Sequence, residues 1–386
     1  MTTRLARAFS IDDLAQVARS RLPRAVFDFY AGGAEDEVSL RRNRQAFGDT
    51  VLAPRILAGI SQVDLSTTLL GQPASMPVAI APMGAVGFGR RNGDVDLARA
   101  ARQAGVPHVL STMANASIER VANEAGGRLW FQVYPLKQQD MVTRLISRAR
   151  DAGYEALIVT VDVPVGGKRE RDLRNDFAMP FRFTPRNMLD FATRPRWALD
   201  MLLRGVPAME NVADLDAARA SATQQTSSVG RAFDPAFDWT GLARIREQWR
   251  GKLLLKGVLR ADDAERAASA GCDGVVVSNH GGRQLDGGPA PLHSLPSIAA
   301  AVGDRLEVWM DGGIRRGSDI AKALALGARG VMLGRAPLYG VCAAGEAGAS
   351  RALEILRDEL ARTLLLCGVA RVAEAGPDLL ATGPQV

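Results

Sequence analysis

Residues 275–288 read VVVSNHGGRQLDGG. Three apolar residues run into Ser278, Asn279 and His280; two glycines follow, then Arg283 and Gln284. The chain owns only three histidines, so one placed where a core-type run ends is notable. Imidazole titrates near neutrality and serves as a general base when a hydroxyl or carbon acid lies within reach. A cation, Arg283, follows three residues further on. Other apolar runs end the same way, in residues able to bind or move protons. LWFQVY (129–134) carries Gln132 and Tyr134, ALIVTVD (156–162) carries Thr160 and Asp162, and LLLKG (253–257) carries Lys256. EVWMDGG (307–313) carries Asp311 and Gly313 with Arg315 beyond, and GVMLGR (330–335) ends in Gly334 and Arg335.

Each of these residues also has a plain structural reading. His280 is alternatively a satisfied core histidine. Lys256 pairs with a carboxylate or forms a Schiff base, Asp162 caps a helix, and Arg169 in GGKRERD belongs to a solvated charge run. Tyr134 and Gln132 read equally as polar rim. His108, His293 and Cys272 are assigned to structure. What favours chemistry is the repetition of polar tips on buried runs.

The elements that must position these tips recur along the chain. Beside those quoted, VAIAP (78–82), HVLST (108–112) and GVVVSNH (274–280) complete eight short apolar runs. Their apolar residues are continuous rather than alternating, the mark of strands buried on both faces. Helical stretches between them close on ARQAGVP, ARDAGYE, AASAGCDG and ALALGARG, with Gly where a helix needs its C-terminal cap. Eight strands alternating with helices predict a TIM (β/α)8 barrel, whose chemistry sits in the loops after the strands. An open doubly wound sheet is the competitor; no Gly-x-Gly-x-x-Gly follows the first strand. One domain over 1–386 is expected, with 1–77 an N-terminal helical cap segment and 78–370 the barrel. The regularity breaks after strand four, where 163–238 forms a long excursion from the active-site face. Glycines and arginines on the last two strands, DGGIRRGSD and LGRAPLYG, predict a phosphate site.

Composition narrows the class. With 47% hydrophobic residues the chain can build a large core. Net charge is +6, but the cations are scattered and aromatics are only 5%, so no nucleic-acid partner is expected. Three isolated cysteines without Cys-x-x-Cys point to a reducing compartment and no metal site. The N-terminus has no apolar h-region, so no signal peptide is expected, and no apolar run is long enough to span a bilayer. The expected location is cytoplasmic.

At these residues the chain resembles a family. SNHGGRQLDG is similar to the active-site signature of the FMN-dependent α-hydroxy acid oxidases and dehydrogenases. LPRAVFDFYAGGAEDE, SMPVAIAPMG, LSTMANASIE, WFQVY, VTVDVPVGGKRERD and DGGIRRGSDIAKALALGA look like family motifs in family order. RPRWALDML and QQTSS…FDWTGL look closest to the membrane-associated (S)-mandelate dehydrogenases, with the L-lactate dehydrogenases next. The resemblance implies FMN as cofactor and oxidation of a small (S)-2-hydroxy acid, mandelate-like, to the 2-oxo acid, with a quinone or other electron acceptor. Rival readings are L-lactate dehydrogenase, an oxygen-using oxidase, a Schiff-base aldolase and a non-catalytic flavin binder. By resemblance His280 is the base and Asp162 its orienting partner, while Arg283, Arg169 and Tyr134 hold the substrate carboxylate. Lys256 sits near flavin N1. Pro82, Met83, Gly84, Ser111, Gln132, Thr160 and Ser278 line the isoalloxazine, and Asp311, Gly313, Arg315, Gly334 and Arg335 hold ribityl and phosphate. A homo-oligomer, a tetramer, is implied.

Two positions depart from or divide the family pattern. The family's active-site Tyr is replaced by Phe29; Tyr30 is adjacent, but neighbouring helical residues point about 100° apart. A lost hydrogen bond to a carboxylate costs about 1.5–3 kcal/mol, which disfavours a small, lactate-like acid. Gly84 stands where oxidases tend to carry Ala and several dehydrogenases Gly, which favours a dehydrogenase. Finally, 181–209 sets Arg182, Arg186, Arg194, Arg196 and Arg204 among Phe, Trp, Leu and Met. It reads either as a lid or, within 177–215, as a peripheral contact to the inner face of the cell membrane.

Overall fold

The computed structural model describes residues 3–177, 184–213 and 232–381. Eight parallel strands close into a barrel: Val78–Ile80, His108–Ser111, Leu129–Val133, Ala156–Thr160, Lys252–Val258, Gly274–Val277, Glu307–Asp311 and Gly330–Leu333. The last pairs with the first, Val331 opposite Val78, so no edge is left open. This is the TIM barrel, and the open sheet is excluded. Continuous burial along the strands explains the unbroken apolar runs: all five residues of Leu129–Val133 and of Ala156–Thr160 are buried. The helical stops at Gly105, Gly153, Gly271 and Gly327 all have positive φ, the conformation for which glycine has no steric penalty.

The two ends of the barrel are closed differently. A hairpin, Thr67–Leu69 with Gln72–Ala74, lies across the N-terminal ends of the strands. Its Leu69, Leu70 and Ala74 join Trp130 and Trp309 in the inner core, and Arg128 donates to the Leu69 carbonyl at 2.9 Å. That part of the N-terminal segment therefore seals the end opposite the chemistry. At the mouth, helix Arg24–Ala31 and the turn after it form the cap. The Ala34 amide donates to the Gly282 carbonyl (2.9 Å) and the Glu35 amide to the Lys168 carbonyl (2.8 Å), which ties the cap to the loops after strands six and four.

Among the described residues, the excursion after strand four carries, beyond the single turn of helix Glu170–Arg174, two short helices, Pro185–Ala192 and Pro195–Arg204, where the sequence indicated only charge mixed with apolar residues. Thr184 caps the first through a reciprocal bond pair with Asn187. The second buries no residue fully, yet Trp197 Nε1 donates to the Phe88 carbonyl (2.7 Å). Arg91 donates to the Asp200 carboxylate (3.1 Å) and the Gly205 carbonyl (2.7 Å), gripping that helix at its C-terminal end. Arg182 and the QQTSS motif lie outside the described residues.

Candidate active site

A cavity of about 220 Å³ opens at the C-terminal ends of the strands. It gathers residues from six of the eight strand tips and the loops beyond them: Pro82, Met83, Gly84, Tyr134, Arg169, Lys256, His280, Arg283, Asp311, Gly313, Arg315, Gly334 and Arg335. Asp162 stands immediately behind His280. Ser111, Gln132, Thr160 and Ser278 do not form the cavity wall; they are buried at the strand ends beneath it. Thr160 instead reaches a second cavity of about 190 Å³ between strands four and five and the following helices. The depth of each tip residue, rather than its type, makes this difference.

His280 is the centre of the geometry. Its Nδ1 lies 2.9 Å from Asp162 Oδ1, and Nε2 lies 3.4 Å from the Tyr134 hydroxyl, which faces the cavity. A carboxylate accepting at Nδ1 keeps the proton there and leaves Nε2 to act as an acceptor. Asp162 is not a helix cap. Burial opposes its charge, but the positive fields of His280 and Lys256, and the bond to His280, hold its carboxyl below the ordinary range. His280 adopts φ +57, a left-handed conformation uncommon outside glycine, and its amide donates to Ser278 Oγ at 3.0 Å. This strained turn aims the ring across the mouth, and such outliers concentrate at functional sites.

Lys256 is buried and makes two polar contacts, to Asp311 Oδ2 (3.0 Å) and to Ser278 Oγ (2.8 Å). Burial disfavours its ammonium, but Asp311 and Asp162 outweigh that and raise its pKa above the usual lysine value. A lysine held as ammonium is a poor Schiff-base nucleophile. Strand five bulges at this lysine, with its register shifting between Lys256 and Val258. Gly257 between them has φ +106, and a Cβ there would meet Asp162 Cβ at 2.6 Å. The bulge lets the lysine and the Asp162–His280 pair share one small volume.

Cations dominate the mouth. Arg169 Nε pairs with Asp172 at 3.0 Å. Arg283 donates to the Phe29 and Gly32 carbonyls at 2.6 and 3.0 Å, and among the described residues no carboxylate bonds it. Burial, together with neighbouring Arg169 and Arg335, lowers its pKa to about 9, the mark of a guanidinium short of negative charge. Burial raises the Tyr134 pKa, as does the Asp162 charge, so the phenol keeps its proton as a donor. Together these three groups form a receptor for a carboxylate beside a base.

Phe29 lies in the same wall, its ring 5.7 Å from the Arg169 guanidinium carbon and 5.1 Å from that of Arg283. Tyr30 does not replace the missing phenol. Its hydroxyl donates to the Ala85 carbonyl (2.7 Å) and accepts from the Gly89 amide (2.8 Å), so it is committed to the loop after strand one. Gly84 has no room to spare: a Cβ there would lie 2.9 Å from Met113 Cβ.

The chain matches the family model for FMN-dependent dehydrogenase over residues 18–382. It belongs to the FMN-dependent dehydrogenase family. It is 41% identical to (S)-mandelate dehydrogenase of Pseudomonas putida over 372 residues, 96% of this chain and 93% of that one. It is 44% identical to a putative L-lactate dehydrogenase of Mycobacterium tuberculosis, covering 97% of this chain and 89% of that protein. The crystal structure of the monotopic membrane protein (S)-mandelate dehydrogenase superposes with a TM-score of 0.91 at 40% identity, covering 98% of this chain and all of that one.

The family's cofactor is FMN, and the residues present fit it. Asp311 lines the cavity and Gln132 and Thr160 end strands three and four beneath it; Gln132 Nε2, Thr160 Oγ1 and Asp311 Oδ1 are buried polar atoms with no hydrogen-bond partner among the described residues, donors and acceptors of the kind that a polar heterocycle and polyol require. Arg315 and Arg335 are half-buried and, among the described residues, form no ion pair with a carboxylate; desolvation lowers both, Arg335 to about 10, and a phosphate would relieve them. Helix Arg335–Ala344 begins at this point, adding its N-terminal amides. Gly313 has φ +87, and a Cβ there would fall 2.2 Å from the Asn43 carbonyl. Arg335 also donates to the carbonyls of Tyr30, Gly32 and Gly281 (2.8–3.0 Å), so it braces the cap as well as facing the cavity.

Three supporting residues escaped the reading of strand tips. Asn43 and Asn279 exchange side-chain hydrogen bonds of 2.8 and 2.7 Å, fixing the loop that turns His280. The available signal for Asn43 was a polar residue on the inward face of helix Val38–Asp49. Gly257, whose missing Cβ admits Asp162, stood in plain view beside Lys256.

Proposed function

We propose that the protein oxidises an (S)-2-hydroxy acid of mandelate type to its 2-oxo acid and passes the electrons to a quinone-type acceptor. The observation that carries this is the His280–Asp162 pair facing a cavity that also presents Arg169, Arg283 and Tyr134. The two guanidinium groups and the phenol hold the carboxylate and so place the α-carbon and its hydroxyl at His280 Nε2. His280 takes a proton from the hydroxy acid; Asp162 orients the ring and stabilises the imidazolium that results. FMN, when bound, supplies the acceptor for the two electrons that leave the substrate. Lys256, held as ammonium, balances negative charge arising on that side of the cavity. No bond to Lys256 is needed, which separates this scheme from aldolase chemistry, and a scaffold has no use for a base set among carboxylate-binding groups.

The test is anaerobic addition of (S)-mandelate to the yellow holoprotein. Rapid bleaching of the flavin is expected, followed by fast reoxidation with a soluble quinone and slow reoxidation by oxygen. Oxygen matching the quinone would make it an oxidase. A flavin that neither mandelate nor lactate bleaches would overturn the reading.

Phe29 supports an aromatic substrate. The carboxylate lacks a phenol donor at that position, while Phe29 and Phe177, 4.9 Å apart, thicken the apolar wall. Phe29→Tyr is therefore expected to raise kcat/KM for lactate about 10–100-fold, in keeping with the ~1.5–3 kcal/mol of a charge-assisted bond. The gain for mandelate should be smaller, because burial of its ring already contributes. Equal gains for both acids would remove Phe29 as a determinant of substrate choice.

The helix pair supports peripheral attachment to the inner face of the cell membrane. No helix among the described residues is long and apolar enough to cross a membrane. Leu189, Leu202 and Leu203 are nonetheless 73%, 80% and 73% exposed, with Met188, Leu199 and Val206 also outward. Exposed Arg186, Arg196 and Arg204 flank them, as on a helix lying in the headgroup boundary. The active-site face would then open towards membrane quinone. Co-sedimentation with anionic vesicles at low salt is expected, and Leu189→Ser with Leu202→Ser and Leu203→Ser should release the protein without loss of dye-linked activity. Retention of the triple variant on vesicles would mean that this face is only a lid. Assembly as a homo-oligomer, a tetramer, is part of the same reading.

A further inference from the structure

The excursion that carries the exposed helices behaves differently at its return. Helix Pro195–Arg204 buries no residue fully, whereas Met209, Asn211 and Val212, a few residues on, are buried. The return is bonded along its length to the loop after strand two. Asn115 Nδ2 donates to the Pro207 and Ala208 carbonyls at 3.3 and 3.0 Å. The Ser117 amide donates to Glu210 Oε2 (2.8 Å) and the Ile118 amide to Asn211 Oδ1 (3.0 Å), while Asn211 Nδ2 returns a bond to the Ala116 carbonyl (3.2 Å). Met209 stands in the middle of this clamp, with bonded residues on both sides, and its side chain enters the cavity that holds Tyr134, Arg169 and His280.

Asn115 has a second attachment. Its Oδ1 accepts from the Gly87 amide at 2.6 Å, and a Cβ on Gly87 would fall 2.7 Å from the Asn115 amide carbon. Gly87 belongs to the loop after strand one, the loop that contributes Met83 and Gly84 to the cavity. Beneath, buried Asp94 accepts from the backbone amides of Asn115 and Ala116, both at 3.0 Å. One side chain therefore spaces two walls of the same cavity, the Met83–Gly84 wall and the Met209 wall. A buried amide that donates twice and accepts once, with all three bonds to backbone, has little freedom to move.

We infer that Met209 is a specificity-determining residue that walls the space for the side chain of the hydroxy acid, and that Asn115 is the positioning residue that fixes it there. The inference rests on the 2-hydroxy acid reading. A thioether on a short, doubly anchored segment offers an apolar, polarisable contact suited to an aryl ring. A methyl side chain is too short to need that wall. Because the clamp lies between Met209 and the exposed helices, substrate choice is set independently of whatever covers those helices.

The experiment measures anaerobic flavin reduction by (S)-mandelate and L-lactate in the holoprotein. Met209→Ala is expected to lower kcat/KM for mandelate about 10–100-fold, chiefly through KM, with lactate changed less than about threefold. Met209→Phe should fill the space and shift preference towards lactate. Asn115→Ala should reproduce the Met209→Ala preference with an unchanged flavin spectrum, and the double variant should lose no more than either alone, since the two act through one contact. Asn115→Asp keeps the acceptor for Gly87 but loses both donors, so it should resemble the alanine variant. Leu202→Ser with Leu203→Ser should leave the mandelate-to-lactate ratio as it was. A wild-type flavin bleached by mandelate, with that ratio unmoved in Met209→Ala and Met209→Phe, overturns the inference while the functional reading stands. Failure of wild-type to react with either acid sinks the functional reading first. Should Asn115→Ala not fold, the two Met209 variants decide the specificity role and Asn115→Asp the positioning role.

Discussion

His280→Gln is expected to bind FMN normally and to reduce it with hydroxy acid at least about 10²–10⁴-fold more slowly, the range contributed by positioned base catalysis. Glutamine approximates the reach of imidazole but cannot take a proton near neutral pH. The ring of His280 contacts Asp162 and the Tyr134 hydroxyl rather than the arginines of the phosphate end, and the bond from its amide to Ser278 Oγ belongs to the backbone and survives the change. Flavin spectrum and affinity should therefore stay as in the parent, and stopped-flow bleaching alone should collapse. Asp162→Asn tests the same unit from behind. It removes the charge that favours the imidazolium and disturbs the tautomer that leaves Nε2 open, so a loss of comparable order is expected. The two losses should not multiply in the double variant, because the pair acts as one group. Near-parental bleaching in His280→Gln would transfer the base role to another residue.

Arg283→Ala should lower kcat/KM by about 10²–10³, in keeping with the roughly 2–5 kcal/mol lost when one partner of a buried charged pair is removed. Two contributions are separable. The guanidinium is short of negative charge among Arg169 and Arg335, so the substrate carboxylate is its natural counter-ion and KM should rise. It also donates to the Phe29 and Gly32 carbonyls, so its removal loosens the cap and should slow the chemical step through misplacement. Arg283→Lys keeps a charge but not the fork, and should recover part of KM and little of kcat. A variant in which KM and kcat both stay within about threefold of the parent would remove Arg283 from the substrate site.

Much of this was legible in the chain because of how a parallel barrel is built. Strands buried on both faces must be apolar throughout, so polar residues at their ends stand out against a uniform background. Arg169 is the instructive exception. In GGKRERD it is indistinguishable from a solvated charge run, and only family resemblance singled it out. The structure places it in the cavity while its neighbours Lys168 and Arg174 pair with Glu170 at the surface. Conversely Ser111, Gln132, Thr160 and Ser278, which the resemblance assigns to the isoalloxazine, are buried at the strand ends and stand deeper than the residues that line the cavity. Strand twist and stagger set depth, and a linear pattern does not encode them.

The sequence by itself determined the barrel, a phosphate site on its last two strands and the set of groups that could act, because continuous apolar runs, glycine stops and strand-end residues are local properties; FMN as the cofactor came with the family resemblance. Tertiary structure alone decided which of those groups meet. His280 and Asp162 are 118 residues apart in the chain and share a 2.9 Å contact. Asn43 and Asn279 are 236 apart and share two hydrogen bonds. Helix geometry spoke against Tyr30 as a stand-in for the missing phenol, and the structure shows where its hydroxyl goes instead, to the Ala85 carbonyl and the Gly89 amide. The excursion read as one segment of mixed charge and apolar residues, yet it divides into an exposed helix pair and a clamped return that delivers Met209. The physical reason is common to all four. Hydrogen-bond partners are chosen by proximity in space, and closure of the barrel brings distant loops to one rim.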